Sequence, residues 1–307
     1  MATTVVPSNS NSIALATKFL PFVDQVYKMD SKSAILDTAN EFVRFDGANA
    51  VKIYNLSVLG MGNYSRNAGF VNSDVTGTWE THTLTLDRGR SYMLDVLDND
   101  QTLGQSLGNL LNVIEREHII PEVDATRFAA YATGAYSGNK TTETLSTGSG
   151  AVASIDAASV ALDNAEVPYE GRILFVSPHT YSLLKAGITR MVMNGDPNVN
   201  NVIEMYNDMR VIRVPQTRFY TAITLATPSD NDDVGGYSAN GNGINYMIVH
   251  PSAVAQVMKH YVARVFSPQE NQQADAWLVQ PRYAHYAGVL AHKTNGIYVS
   301  SDSTISG

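Results

Sequence analysis

Three short runs carry the residue types of an acyl-transfer site: Ser182-Leu-Leu-Lys185, Ser238-Ala-Asn240 and Lys293-Thr-Asn-Gly296. A serine with a lysine one helical turn away supplies a nucleophile and its base, and the other two runs would complete a serine hydrolase. The third run breaks that pattern, because Asn295 separates the threonine from the glycine, and Ser238 lies in a loose Gly/Asn stretch. Gly60-Met-Gly-Asn-Tyr-Ser65 has the glycine spacing of a phosphate loop. Such a loop needs a helix directly behind it, and residues 66–77 are poor helix formers. Asp230, Asp232 and Asp233 would open a calcium loop only with a glutamate at its last position, where Gly241 stands. No two histidines lie three or four residues apart and there is no cysteine, so neither a helical imidazole pair nor a thiolate is offered to a metal. No set of nucleophile, base and oxyanion donors emerges. The sequence is read as having no catalytic residue, no metal site and no cofactor, with Ser182 and Lys185 carrying the hydrolase alternative.

Composition points to contact rather than chemistry. Of 307 residues, 44% are hydrophobic and only 16% charged, below the usual quarter. Much nominal surface must then be covered by other subunits. The net charge of −8 and the lack of any Lys/Arg run oppose a grip on DNA or RNA through phosphates. The amino end has no cationic segment leading into an apolar one, and no window approaches about eighteen apolar residues, so neither a secretory signal nor a membrane span is expected.

The stretch that would organise such a chain is 102–131. At a helical period Leu103, Leu107, Leu110, Leu111, Ile114 and His118 share one face, opposite Gln105, Asn109, Asn112 and Arg116. Pro121 has no amide hydrogen and crowds the carbonyl of Glu117, so the helix kinks or restarts near Ile119–Ile120. Beyond it Ala125, Phe128, Ala129 and Ala132 rejoin the first stripe, while Ile119, Ile120 and Val123 point the other way. The rod, up to ~45 Å long, reads as a spine between two layers.

Ahead of the spine, residues 51–59 are β-rich and 60–77 glycine-rich. The chain then returns with Trp79, Thr81, Thr83 and Thr85 alternating with Glu80, His82, Leu84 and Leu86. This predicts an extended hairpin whose tip of about eighteen residues has no core of its own and takes its order from another copy. Residues 1–46 read as an arm lying across a neighbour. After the spine, 134–150 reads as a linker and 154–165 as a helix capped by Ser154 or Asp156. Residues 172–178 read as a buried strand leading into a helix ended by Gly187, and the remainder as mostly antiparallel strands with a short helical turn from Pro251. The class is α+β.

Four runs taken together resemble a known family: GANAVKIYNLSVLGMGNYSRNAGF (47–70), DRGRSYMLDVLDNDQT (87–102), VIEREHIIPEVDATRFAAYA (113–132) and KTNGIYVS (293–300). In this order they resemble the major capsid proteins of tailed bacteriophages, those with the HK97-type fold. The resemblance implies an N-terminal arm (1–46), an extended β-hairpin or E-loop (47–90), a P-domain (91–149 and 256–307) carrying the spine helix 102–132, and an A-domain (150–255). It implies a structural protein, not an enzyme, that self-assembles as hexamers and pentamers into an icosahedral shell around double-stranded DNA. That DNA would be held without sequence-specific binding. A separate scaffolding protein and a portal are the implied partners, and the implied location is the virion, assembled in the bacterial host cytoplasm. An encapsulin-like nanocompartment shell of the same fold is the nearer alternative. Some relatives cross-link an E-loop lysine to a neighbour's asparagine, but no lysine lies between Lys52 and Lys140. Arg66, the lone cation of the tip, is the candidate for an intersubunit ion pair. Phe70 and Val71 are candidate apolar anchors, and Asp74 and Trp79 complete the expected contact set.

Overall fold

The computed structural model describes residues 30–39, 50–67, 69–84, 86–97, 105–188, 202–226 and 235–306. Residues 1–29 of the expected arm and the aspartates at 98, 100, 230, 232 and 233 fall outside the described residues.

Among the described residues the first strands, β1 (Ala50–Val58) and β2 (Val75–Thr83), pair only with each other, and β3 (Leu86–Gly89) and β4 (Tyr92–Asp95) follow. The spine comes next as α1 (Gln105–Ile114), a π turn (Glu115–Ile119) and α2 (Ile120–Gly134), without interruption. Ile114 and Ile120 both keep helical torsions, and the Ile120 N–H donates to the Glu115 carbonyl, five residues back instead of four. The discontinuity expected at Pro121 is therefore one inserted residue, which relieves the clash of the proline ring without breaking the rod. An inserted residue rotates everything after it by about 100°, and this corrects two expectations. His118, assigned to the apolar stripe by a uniform period, is exposed. Ile119 and Val123, expected to point away, join Ile114 in one cluster with Tyr283.

After the spine the order is β5 (Lys140–Thr142), α3 (Gly148–Asn164), β6 (Ile173–Val176), α4 (Pro178–Gly187), β7 (Met205–Tyr206) and β8 (Met209–Arg213). Then come β9 (Ile223–Leu225), β10 (Tyr237–Ala239), β11 (Asn242–Val249), β12 (Val254–Phe266), β13 (Ala276–Val289) and β14 (Ile297–Ser306). Six strands form one mixed sheet in the order β5-β14-β11-β6-β8-β7. Alternate residues of β6 serve its two faces: Ile173 and Phe175 meet Phe128 and Tyr131 of the spine, while Leu174 and Val176 meet Ile155 and Leu162 of α3. Burial on both faces explains why β6 reads as an unbroken apolar run. A second sheet, β12-β13-β3 with β4 further along β13, sets Tyr283 against the π turn. The carboxyl-terminal β14 lies inside the first sheet, between β11 and β5, so it shares a sheet with strands from residues 150–255.

Two other expectations change. The stretch 134–150 is not a plain linker, since it contains β5 and the start of α3, whose cap is Thr147 accepting from the Gly150 N–H at 3.1 Å. Ser154 lies inside that helix, bonded to Tyr246 at 2.7 Å. The glycines that disguise the helix start have a packing reason: a Cβ on Gly148 would sit 2.5 Å from the Gly187 nitrogen, so α3 and α4 touch backbone to backbone. Secondly, residues 30–39 are docked on their own chain, with Leu36 fully buried in the core beside Phe128.

Candidate assembly interface

The β1–β2 ribbon pairs Tyr54 with Trp79, Leu56 with Gly77 and Val58 with Val75, and residues directly opposite one another share a face. Beyond Lys52 and Thr81 at its base, that face is apolar from Tyr54 to Val58, while Asn55, Ser57, Thr76 and Thr78 line the other. The apolar strip is exposed, with Trp79 64% and Leu56 57% accessible, although Ser57, Thr76 and Thr78 offer a polar face to solvent on the other side. Soluble monomers seldom leave so continuous a strip uncovered. Tyr54 and Trp79 pack at 5.0 Å between ring centroids. Gly77 makes room for this, because a Cβ there would fall 1.7 Å from the Tyr54 hydroxyl. In the tip, Ser65 and Gly69 exchange backbone hydrogen bonds at 3.2 and 2.7 Å, with Gly69 at φ +80° where only glycine is unstrained. Tyr64 and Phe70 meet at 4.9 Å, and Val71 rests against Gly62. Even so, Met61, Phe70 and Val71 remain exposed.

The ribbon is fixed to the described body of the subunit at its base. The Glu80 carboxylate accepts from the Ala291 N–H at 3.1 Å and from the Asn55 amide at 3.1 Å, and the His82 Nε2 lies 3.2 Å from it. The buried His82 ring bonds the Tyr286 hydroxyl through Nδ1. Just past β2, Arg88 forks onto the buried Glu122 of the spine, from Nε at 2.7 Å and Nη2 at 3.2 Å. The same guanidinium donates to the carbonyls of Ala226 at 2.6 Å and Gly236 at 3.1 Å. Tyr283 also donates to Glu122. Burial would lower the Arg88 pKa, but the hydrogen bond and charge of Glu122 outweigh it and raise it. Burial and the same carboxylate push the Tyr283 hydroxyl up. Beside this junction lies a cavity of about 340 Å³ whose walls include the π turn and Gly235–Gly236.

A second junction holds residues 30–39. Asp124 of the spine, fully buried, accepts from the Ser31 hydroxyl at 2.7 Å, the Lys32 N–H at 2.9 Å, the Ser33 hydroxyl at 2.6 Å and Arg218 at 3.1 Å. Arg127 pairs with Asp37 at 3.0 Å, and Gln256 donates to the same carboxylate at 2.7 Å. Nearby, burial and the charge of Arg127 bring the His285 pKa down to about 4.

No protein-family model matches the sequence, and no curated protein matches it. Solved structures do. The chain from the asymmetric unit of the bacteriophage PhiM1 mature capsid superposes with a TM-score of 0.66 at 14% identity, covering 98% of this chain and 95% of its own. The capsid structure of the cyanophage P-SCSP1u gives 0.63 at 13% identity, covering 94% and 91%. A chain of the Microbacterium phage Oxtober96 gives 0.67 at 11% identity, covering 94% and 96%. The fold is that of phage capsid chains.

Within this capsid fold, the five expected contact residues Arg66, Phe70, Val71, Asp74 and Trp79 all lie on the hairpin and are exposed. Only Trp79 belongs to the apolar ribbon face; Phe70 and Val71 extend it into the tip. Sequence reasoning missed Tyr54, Leu56, Val58 and Val75, although the alternation Tyr-Asn-Leu-Ser-Val carries the signal. Of the hydrolase pair, Ser182 is exposed on α4, and Lys185 stands 6.0 Å from the Tyr181 ring centre. Ser238 lies in β10 and Lys293 in the turn before β14. Among the described residues there is no group of three His, Cys, Asp or Glu able to hold a metal ion, and no helix long and apolar enough to cross a membrane.

Proposed function

We propose that this chain is the repeating subunit of an icosahedral phage capsid, a structural protein without enzymatic activity. The observation that carries the reading is the ribbon strip of Tyr54, Leu56, Val58, Val75 and Trp79, exposed on a hairpin that is tied at its base to the described residues. Covering one such side chain is worth about 1.5–3 kcal/mol. Covering the strip is therefore worth on the order of 10 kcal/mol per hairpin before the cost of association, enough to drive ordered contacts repeated through a shell. A hairpin of one copy on the body of the next is a head-to-tail contact, which closes into rings; hexamers and pentamers are the rings an icosahedral shell uses.

The net charge of −8 suits a container that must not adhere to the duplex it encloses. A separate scaffolding protein and a portal are the further partners in this reading, with assembly in the host cytoplasm and the virion as destination. Negative-stain microscopy of the purified chain, alone and co-expressed with its scaffolding protein, tests it. Closed particles of uniform size are expected; a monomer at every concentration and in both preparations would refute it.

A further inference from the structure

The second sheet has one face on the spine and one face free of it. Strand alternation assigns Tyr261, Tyr283 and Arg88 to the spine side, and His260, Val262, Arg264, Gln280, Arg282 and Asp87 to the other. On that outer side, with Arg90 and Ser91 at the rim, lies a concavity of about 370 Å³. Its charge is unlike that of the chain as a whole. Arg90, Arg264 and Arg282 line it, in a protein with a net charge of −8, and Asp87 reaches them only through its pair with Arg282. Arg282 is forked on Asp87, with Nε to Oδ1 at 2.9 Å. Arg264 is exposed and has no ion pair among the described residues. A guanidinium beside an already satisfied pair is a ready acceptor for one further carboxylate, which it grips bidentately.

The hairpin carries the complementary group. Between Asp46 and Glu80 the sequence has one carboxylate, Asp74, and it is exposed at the start of β2 where the tip rejoins the ribbon. We propose that the arginine cup of one copy, with Arg264 as its principal contact, receives Asp74 from the hairpin of a second copy. This rests on the reading that the hairpin docks on a neighbour, and it names the surface on which it docks. A phosphodiester has the same appetite for guanidinium, but an acidic subunit repels duplex DNA at long range, whereas the hairpin delivers Asp74 along with an apolar face that needs covering.

A charge swap tests the pairing in the full-length chain. Asp74→Arg alone and Arg264→Asp alone are each expected to raise the concentration at which particles form by about tenfold or more, and the double variant to restore assembly. Both sites are exposed, and equal melting temperatures of the three variants as free subunits would confirm that folding is untouched. Single variants that assemble like the parent, or single defects that the double variant does not repair, overturn the pairing. If those results accompany loss of particles in a Trp79→Ser variant, the cup is refuted while the shell reading stands. Failure of the parent chain itself to form particles refutes the shell reading first. Unimpaired assembly by Arg264→Asp together with loss of salt-sensitive DNA retention would assign the cup to phosphate and overturn the proposal.

Discussion

Replacing Arg88 by methionine probes the junction that ties the hairpin to the body of the subunit. Glu122 is 5% exposed and Arg88 makes four hydrogen bonds, two to that carboxylate and two to the carbonyls of Ala226 and Gly236. Removing the guanidinium leaves a buried carboxylate held only by Tyr283. Breaking a buried pair from one side costs about 3–5 kcal/mol, because the remaining charge stays desolvated. At ~2.1 cal/mol/K per residue, the unfolding entropy of this chain is about 0.6 kcal/mol/K, so the melting temperature should fall by about 5–8 °C. Scanning calorimetry of the free subunit measures it. Arg88→Lys keeps the charge but loses the fork, and should fall between parent and methionine variant. Adding Glu122→Gln to Arg88→Met removes the stranded charge and should recover much of the loss. A drop of under about 1 °C, or strictly additive losses in the double variant, would refute the reasoning.

Two further perturbations follow from the buried polar groups. His285 titrates at about 4 in the folded chain, because burial disfavours its charged form, against ~6.5 when unfolded. The unfolded state therefore binds the extra proton first, and stability present above about pH 6.5 is lost as pH falls toward 4, by about 3 kcal/mol in total; His285→Leu should flatten that part of a urea-midpoint profile against pH. Asp124→Ala removes the carboxylate that pairs with Arg218 and that accepts from Ser31, Lys32 and Ser33. It should cost about 3–5 kcal/mol and open residues 30–39 to limited proteolysis, and an unchanged digestion pattern would contradict the anchoring role of the spine aspartate.

The layers of this fold were legible where a local rule sufficed. The buried run at Ile173–Val176 and the helix stopped by Gly187 follow from neighbouring residues alone. Pro121 marked the place where the spine changes, but not that the change is an insertion. A uniform period therefore put His118 inside and Ile119 outside, the reverse of what the π turn produces. Gly148 and Gly150 look like linker residues until the close crossing with Gly187 explains the first and the tight Thr147 cap the second. Residues 30–39 were assigned to a neighbour because their partners, Asp124, Arg127 and Gln256, are far along the chain. Arg88 was invisible for the same reason, since its ligands come from the spine and from two loop carbonyls that no spacing rule connects. At the hairpin, Trp79 and Phe70 were visible as large apolar residues in a polar stretch. Tyr54, Leu56 and Val58 were read only as a strand, and it took the register with β2 to show that they share Trp79's face.

Trp79 also offers the most direct measurement. The chain has two tryptophans, so Trp277→Phe leaves Trp79 as the sole indole reporter, 64% exposed in the free subunit. If the apolar ribbon is covered by a second copy, its emission should shift to the blue on assembly and lose its sensitivity to acrylamide. Closed particles in which Trp79 keeps a water-exposed spectrum and full quenching would contradict the account.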